Sequence, residues 1–137
     1  MKNTFTVSAG IAAMILSTAV LAGPREDLLA RYGVAAKSLG ISTGFSAARG
    51  QTLHTQNFTG GKADTPSCTS CHGKDSRSAG RTRTGKAIEP LALSVTPTRY
   101  SDPAKVEKWF KRNCPEVLGR ECTAQEKGDW LSFVLGQ

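Results

Sequence analysis

Methionine is almost missing from this chain: Met1 and Met14 are the only two, and both lie in an N-terminal stretch with the pattern of an export leader. Histidine is as scarce, represented by His54 and His72 alone. These absences remove thioether ligands from any site in the processed chain and leave two imidazoles as its nitrogen donors. Long apolar runs are also lacking. After Val7 to Leu21, no stretch approaches the roughly 18 residues that span a bilayer. No segment alternates at strand period for long, and there is no internal repeat, low-complexity tract or domain linker, which argues against sandwich, solenoid and multidomain architectures.

The leader reads from Lys2 through the apolar run to Val20-Leu21-Ala22, where small residues suit cleavage after Ala22. That assigns residues 1–22 to a signal peptide and leaves 115 of the 137 residues as one domain, 23–137. The product is expected to be periplasmic, without a membrane span once the leader is removed. A core of that size gains from a covalent staple or a bound cofactor. The formal net charge is +7, and the leader carries only Lys2 of it. Such a balance favours acidic partners and salt-sensitive encounters. Export and the absence of a recognition motif argue against a nucleic-acid partner.

Leu28, Leu29, Tyr32, Ala36 and Leu39 recur at helical spacing with Gly40 as a stop, so residues 23–44 read as an N-terminal helical extension. A second helix is expected from about Ser46 to Gln56. Its Gly50, costly inside a helix, makes sense where another helix approaches closely. Residues 57–67 read as loop, and residues 73–99 as a long connection punctuated by Gly80, Gly85, Pro90 and Pro97. Ser101 or Asp102 is suited to cap a third helix with Pro103 in its first turn, ending near Asn113 and Pro115. Thr123 and Glu126 form a capping box for the last helix, with Trp130, Phe133 and Val134 as its apolar stripe. The predicted fold class is all-α, a small helical domain with long loops.

Cys68-Thr-Ser-Cys71-His72 is the most specific pattern in the chain. Two thiols three residues apart on one turn are spaced to add to the two vinyl groups of a haem, and the adjacent imidazole is then delivered to the iron, which makes His72 the proximal ligand. A thioredoxin-like site needs a strand before the motif, and none is indicated. A four-cysteine zinc site needs a second close pair, whereas Cys114 and Cys122 are eight residues apart. One covalent haem c is therefore the expected cofactor. In an oxidising compartment Cys114 and Cys122 are expected to pair as a disulfide.

The sixth iron position has several candidates: His54, Asn113, a lysine such as Lys108 or Lys111, water, or none. His54 reads equally as a partly buried helix residue, and Asn113 as a helix C-cap. As a ligand, an amide oxygen is hard, weak and neutral, so it favours ferric over ferrous iron and is released on reduction. Arg81, Arg83 and Lys86 follow the motif in a loop, where they are candidates to pair with haem propionates or simply a solvated basic segment. A backbone carbonyl at Pro90 or Leu91 is a candidate acceptor for the second nitrogen of His72.

Four stretches carry a family resemblance: F-S-A-A-R-G at 45–50, G-G-K-A-D-T-P-S-C-T-S-C-H-G at 60–73, T-R-T-G-K-A-I-E-P-L-A at 82–92, and K-V-E-K-W-F-K-R-N-C-P-E-V-L-G-R-E-C-T at 105–123. From about residue 45 to its end the chain resembles the SHP family, the sphaeroides haem proteins, which are small oxygen-binding monohaem cytochromes c. The resemblance implies a class I cytochrome c fold, Asn113 as distal iron ligand, and a disulfide between Cys114 and Cys122. It also implies electron exchange with a dihaem cytochrome c or a membrane cytochrome b, monomeric behaviour, and binding of a diatomic ligand (O2, NO or CO) by the ferrous haem after release of Asn113. His54 departs from the family pattern, where a large apolar residue is expected, and leaves bis-histidine ligation open. The competing functional reading is a plain six-coordinate electron carrier without gas chemistry, and enzymatic activity toward oxygen, peroxide or nitric oxide stays undecided.

Overall fold

The computed structural model describes residues 23–41 and 43–137, so the leader assigned to residues 1–22 lies outside the described residues. Among the described residues the elements are α1 (Pro24–Ser38), α2 (Ala47–Thr55), α3 (Thr69–His72), β1 (Gly80–Arg81), β2 (Ala87–Ile88), α4 (Pro103–Leu118) and α5 (Ala124–Leu135). The fold is helical, as the sequence indicated.

α1 begins with Pro24 at a position where its missing N–H costs nothing, and Glu26 and Asp27 in its first turn and Lys37 in its last complement the helix dipole. It buries Leu28, Tyr32 and Ala36 on one face. Leu39 was expected on that stripe but lies past the last helical turn and is exposed. α2 starts at Ser46, whose hydroxyl accepts from the Arg49 N–H at 3.3 Å. α1 and α2 both pack on α5. The α2–α5 crossing is close because Gly50 has no side chain: a Cβ there would stand 2.0 Å from the Asp129 carbonyl oxygen. Asp129 is buried in the same contact. It takes the Ser46 N–H at 2.7 Å and two donors of Arg49, each at 2.8 Å.

The expected end of the third helix near Pro115 is corrected by the structure. α4 runs through Pro115 to Leu118 and is capped by Gly119 in the left-handed conformation. An interior proline costs about 3 kcal/mol. Continuing buries Val117 and Leu118, worth about 1.5–3 kcal/mol each, and the 57–67 loop completes the helix end when the Lys62 N–H donates to the Glu116 carbonyl at 2.8 Å. The 73–99 connection also holds more order than its glycines and prolines suggested. β1 and β2 pair antiparallel, Gly80 opposite Ile88 and Arg81 opposite Ala87. α5 opens with the Thr123–Glu126 capping box, both reciprocal hydrogen bonds being present. The core joins Leu28, Tyr32, Leu91, Val106, Phe110, Cys114, Leu131, Phe133 and Val134.

Candidate functional site

Cys68, Cys71 and His72 share one turn. Cys68 caps α3, the Cys71 and His72 N–H groups point back to its carbonyl at 3.3 and 3.1 Å, and Gly73 ends the turn at positive φ. Both thiols are free and half-buried. Burial pushes the Cys68 thiol up to about 11. Burial raises Cys71 as well, with Glu116 and Asp64 adding to the effect and Arg83 opposing it. His72 is pushed down to about 4, by burial first and then because neighbouring His54 and the Arg99 guanidinium oppose a second positive charge beside them. It is therefore a neutral imidazole, and its Nδ1 is buried without a hydrogen-bond partner among the described residues. The carbonyls suggested as its acceptors are engaged elsewhere: Pro90 accepts from the Thr96 hydroxyl at 3.0 Å and Leu91 from the Tyr100 hydroxyl at 2.8 Å.

The turn is clamped at both ends by His54. The Ser67 hydroxyl donates to the His54 carbonyl at 3.1 Å and accepts from the Thr69 N–H at 3.1 Å, which ties down the start of the turn. At its other end, His54 Nε2 donates to the Gly73 carbonyl at 3.1 Å. His54 Nδ1 accepts from Trp130 Nε1 at 3.3 Å, which sets the tautomer. The ring is wholly buried rather than partly, against Phe133 and Trp130 and 6.3 Å from His72 between centroids. Burial lowers its pKa, partly offset by the bond to Gly73. With both nitrogens committed, His54 has no lone pair to offer an iron unless α2 lets go of Gly73 or Trp130.

The third face of the turn is covered by the β1–β2 hairpin. A Cβ on Gly80 would lie 2.3 Å from the Cys71 carbonyl oxygen, so only glycine allows this approach. Of the three cations carried here, Arg83 is near enough to Cys71 to oppose the rise of its thiol pKa. Arg83 is paired with Asp64, Arg81 donates to the Gly85 carbonyl at 3.2 Å, and Lys86 is exposed. Asn113 is half-buried on α4, beside the Cys114–Cys122 disulfide. Its alternative role as a helix cap does not apply, because α4 continues past it and is capped at Gly119. Sequence reasoning missed the clamp formed by Ser67, Gly73 and Trp130. Trp130 read simply as part of an apolar stripe, and its indole N–H was the one signal that it needs a buried acceptor.

Two free thiols on one turn with a neutral imidazole and an unpartnered buried ring nitrogen form a donor set that fits covalent haem. A haem attachment turn framed by packed helices defines a small c-type cytochrome, with one covalently bound haem c. Comparison with known proteins takes this further. A family described as a domain of unknown function (DUF1924) matches residues 41–134. The cytochrome c-type protein SHP of Cereibacter sphaeroides is 48% identical over 130 residues, covering 90% of this chain and 97% of that protein. The structure of oxidised SHP, described as an oxygen-binding cytochrome c, superposes with a TM-score of 0.76 at 51% identity, over 82% of this chain and 96% of that one. Oxidised cytochrome c'' of Methylophilus methylotrophus superposes at 0.69 with 29% identity, over 82% and 93%. The chain belongs to the SHP family of c-type cytochromes.

Proposed function

We propose that this protein is an exported, periplasmic monohaem cytochrome that exchanges electrons with another cytochrome and takes a diatomic ligand in its reduced state. Cys68 and Cys71 attach the haem and His72 is the proximal iron ligand. Asn113 would serve as the distal ligand of the ferric state, and Arg81, Arg83 and Lys86 would be the cations on hand for the propionates. When bound, the haem supplies a one-electron couple and, once reduced, an iron site for O2, NO or CO.

The observation that carries this reading is the engagement of both His54 nitrogens, by Trp130 and by Gly73. It disfavours a permanent imidazole ligand, and without a methionine in 23–137 the remaining polypeptide donors are weak or must lose a proton. The Asn113 amide prefers ferric iron and leaves on reduction. The disulfide next to Asn113 suits an oxidising compartment and holds the chain on either side of that residue. Electron exchange with a dihaem cytochrome c or a membrane cytochrome b fits the basic charge of the protein. No helix among the described residues is long and apolar enough to cross a membrane.

The test is the absorption spectrum of the haem-loaded protein, ferric and then dithionite-reduced, with and without carbon monoxide. A high-spin ferrous spectrum that shifts at once with carbon monoxide is expected. A low-spin ferrous spectrum indifferent to carbon monoxide would instead establish a permanent sixth ligand and a plain electron carrier.

A further inference from the structure

α4 carries six charged side chains whose fates differ. Its two acids are turned away and neutralised by other elements. Glu107 accepts from the Tyr32 hydroxyl at 2.5 Å and pairs with Lys127 at 2.8 Å, while Glu116 lies 3.6 Å from Lys62. Lys105, Lys108, Lys111 and Arg112 are exposed and make no ion pair among the described residues. Among them stands Trp109, 43% exposed, with the Arg112 guanidinium 5.5 Å from its ring centre.

This arrangement works against the helix. Lys105 with Lys108, Lys108 with Lys111, and Lys108 with Arg112 are like charges at i,i+3 or i,i+4, each unfavourable. Lys105 sits in the first turn, where the helix dipole disfavours a cation. An exposed indole adds an unburied apolar surface. Features that oppose the stability of their own element make sense as features for something else.

We propose that the outward face of α4, formed by Lys105, Lys108, Trp109 and Arg112, is the docking surface for an acidic protein partner. The proposal rests on the electron-exchange reading for the nature of that partner, and α4 also carries Asn113. Charge complementarity identifies the chemistry: carboxylates meet the three cations and steer the encounter, while an apolar or aromatic spot covers Trp109. Tryptophan and arginine are the side chains that most often anchor protein interfaces. A membrane surface fits less well, because α4 turns its other apolar side chains, Val106, Phe110, Val117 and Leu118, into the protein and leaves one indole for lipid.

The test uses the haem-loaded protein, labelled with nitrogen-15 and titrated with poly-L-glutamate at about 10 mM and about 150 mM salt. The same protein is exposed to phosphatidylglycerol vesicles. Shifts are expected to centre on residues 105–112 and the Trp109 indole. The triple variant Lys105→Glu, Lys108→Glu, Arg112→Glu is expected to lose at least about tenfold in affinity at low salt. The triple variant Arg31→Glu, Lys37→Glu, Arg77→Glu changes the net charge equally and is expected to lose less than about threefold. Trp109→Ala should weaken binding without altering its salt dependence.

Equal losses in the two triples would overturn the proposal in favour of net charge alone. Shifts centred on residues 74–86, or tighter binding to vesicles than to the polypeptide, would overturn it in favour of another surface or a membrane. A failure of Asn113 as a ligand would appear in the ferric spectrum and would leave these binding results unchanged, so the two readings fail separately.

Discussion

The α2–α5 contact and the outer face of α4 treat polar side chains in opposite ways. Between α2 and α5, Asp129 is held by Arg49, Ser46 and Gln125, and His54 is held by Trp130 and Gly73. Along α4, cations stand without counter-ions among the described residues around a half-exposed indole, and Asn113 lies half-buried at their end. The first region has its partners inside the molecule and acts as a frame for the haem turn. The second has its chemistry directed outward. Mutations in the frame should therefore change stability and spare the spectrum, whereas those at the outward residues of α4 should spare stability and change partner binding, and Asn113 alone among them the spectrum.

The largest effect is expected from Gly50→Ala, because the new Cβ would collide with backbone of α5 that cannot move without opening the contact. A loss of about 3 kcal/mol or more in urea unfolding is expected. A loss below about 1 kcal/mol would mean that the crossing is looser than described. Next, replacing Cys114 and Cys122 with serine should cost about 2–3 kcal/mol by freeing the unfolded chain. The same change should broaden the ferric spectrum if the bridge holds Asn113 in place.

His54→Phe keeps an aromatic ring, somewhat larger, but leaves the Trp130 indole N–H and the Gly73 carbonyl without their partner. A loss of about 1–3 kcal/mol is expected, with the carbon monoxide response of the ferrous protein unchanged. A changed ferrous spectrum would show that His54 reaches the iron after all. The same residue sets a pH dependence. Its folded-state pKa lies below the ordinary 6.5, so the unfolded chain takes the proton first. Stability from this group is complete above pH 6.5 and is lost as pH falls from there toward the folded value, at no more than about 1.4 kcal/mol per pH unit. The slope below pH 6.5, measured as urea midpoints, should be shallower in His54→Phe. Smallest in stability is Asn113→Ala, where a change under about 0.5 kcal/mol is expected. Its readout is the ferric spectrum, which should turn high-spin with water in place of the amide; an unchanged spectrum would remove Asn113 from the site.

Local chemistry was legible residue by residue. The capping box of Thr123 and Glu126, the Asp102 cap, and the one-turn spacing of Cys68, Cys71 and His72 each involve groups a few positions apart, so their geometry follows from backbone periodicity alone. Gly50 was legible for a related reason, since a glycine inside a helix is costly without a close neighbour. Pro115 misled because its penalty is local while its compensation is not: the burial of Val117 and Leu118 and the Lys62 bond come from parts of the chain distant in sequence. The β1–β2 hairpin escaped for want of length, as two residues per strand leave no alternation to read.

The sequence by itself determined the haem chemistry and the scarcity of ligands, because covalent attachment needs only two thiols and an imidazole on one turn, and residues 23–137 lack methionine in every conformation. Tertiary structure decided what His54 does. Whether an imidazole binds a metal or holds a frame depends on which groups reach its two nitrogens, and those come from Gly73, 19 residues away, and Trp130, 76 residues away. Likewise, the number of cations on α4 was plain from composition. That they stand unpaired while Glu107 and Glu116 are turned to Lys127 and Lys62 is a result of packing, which chooses for each charge between a partner within the molecule and one outside it.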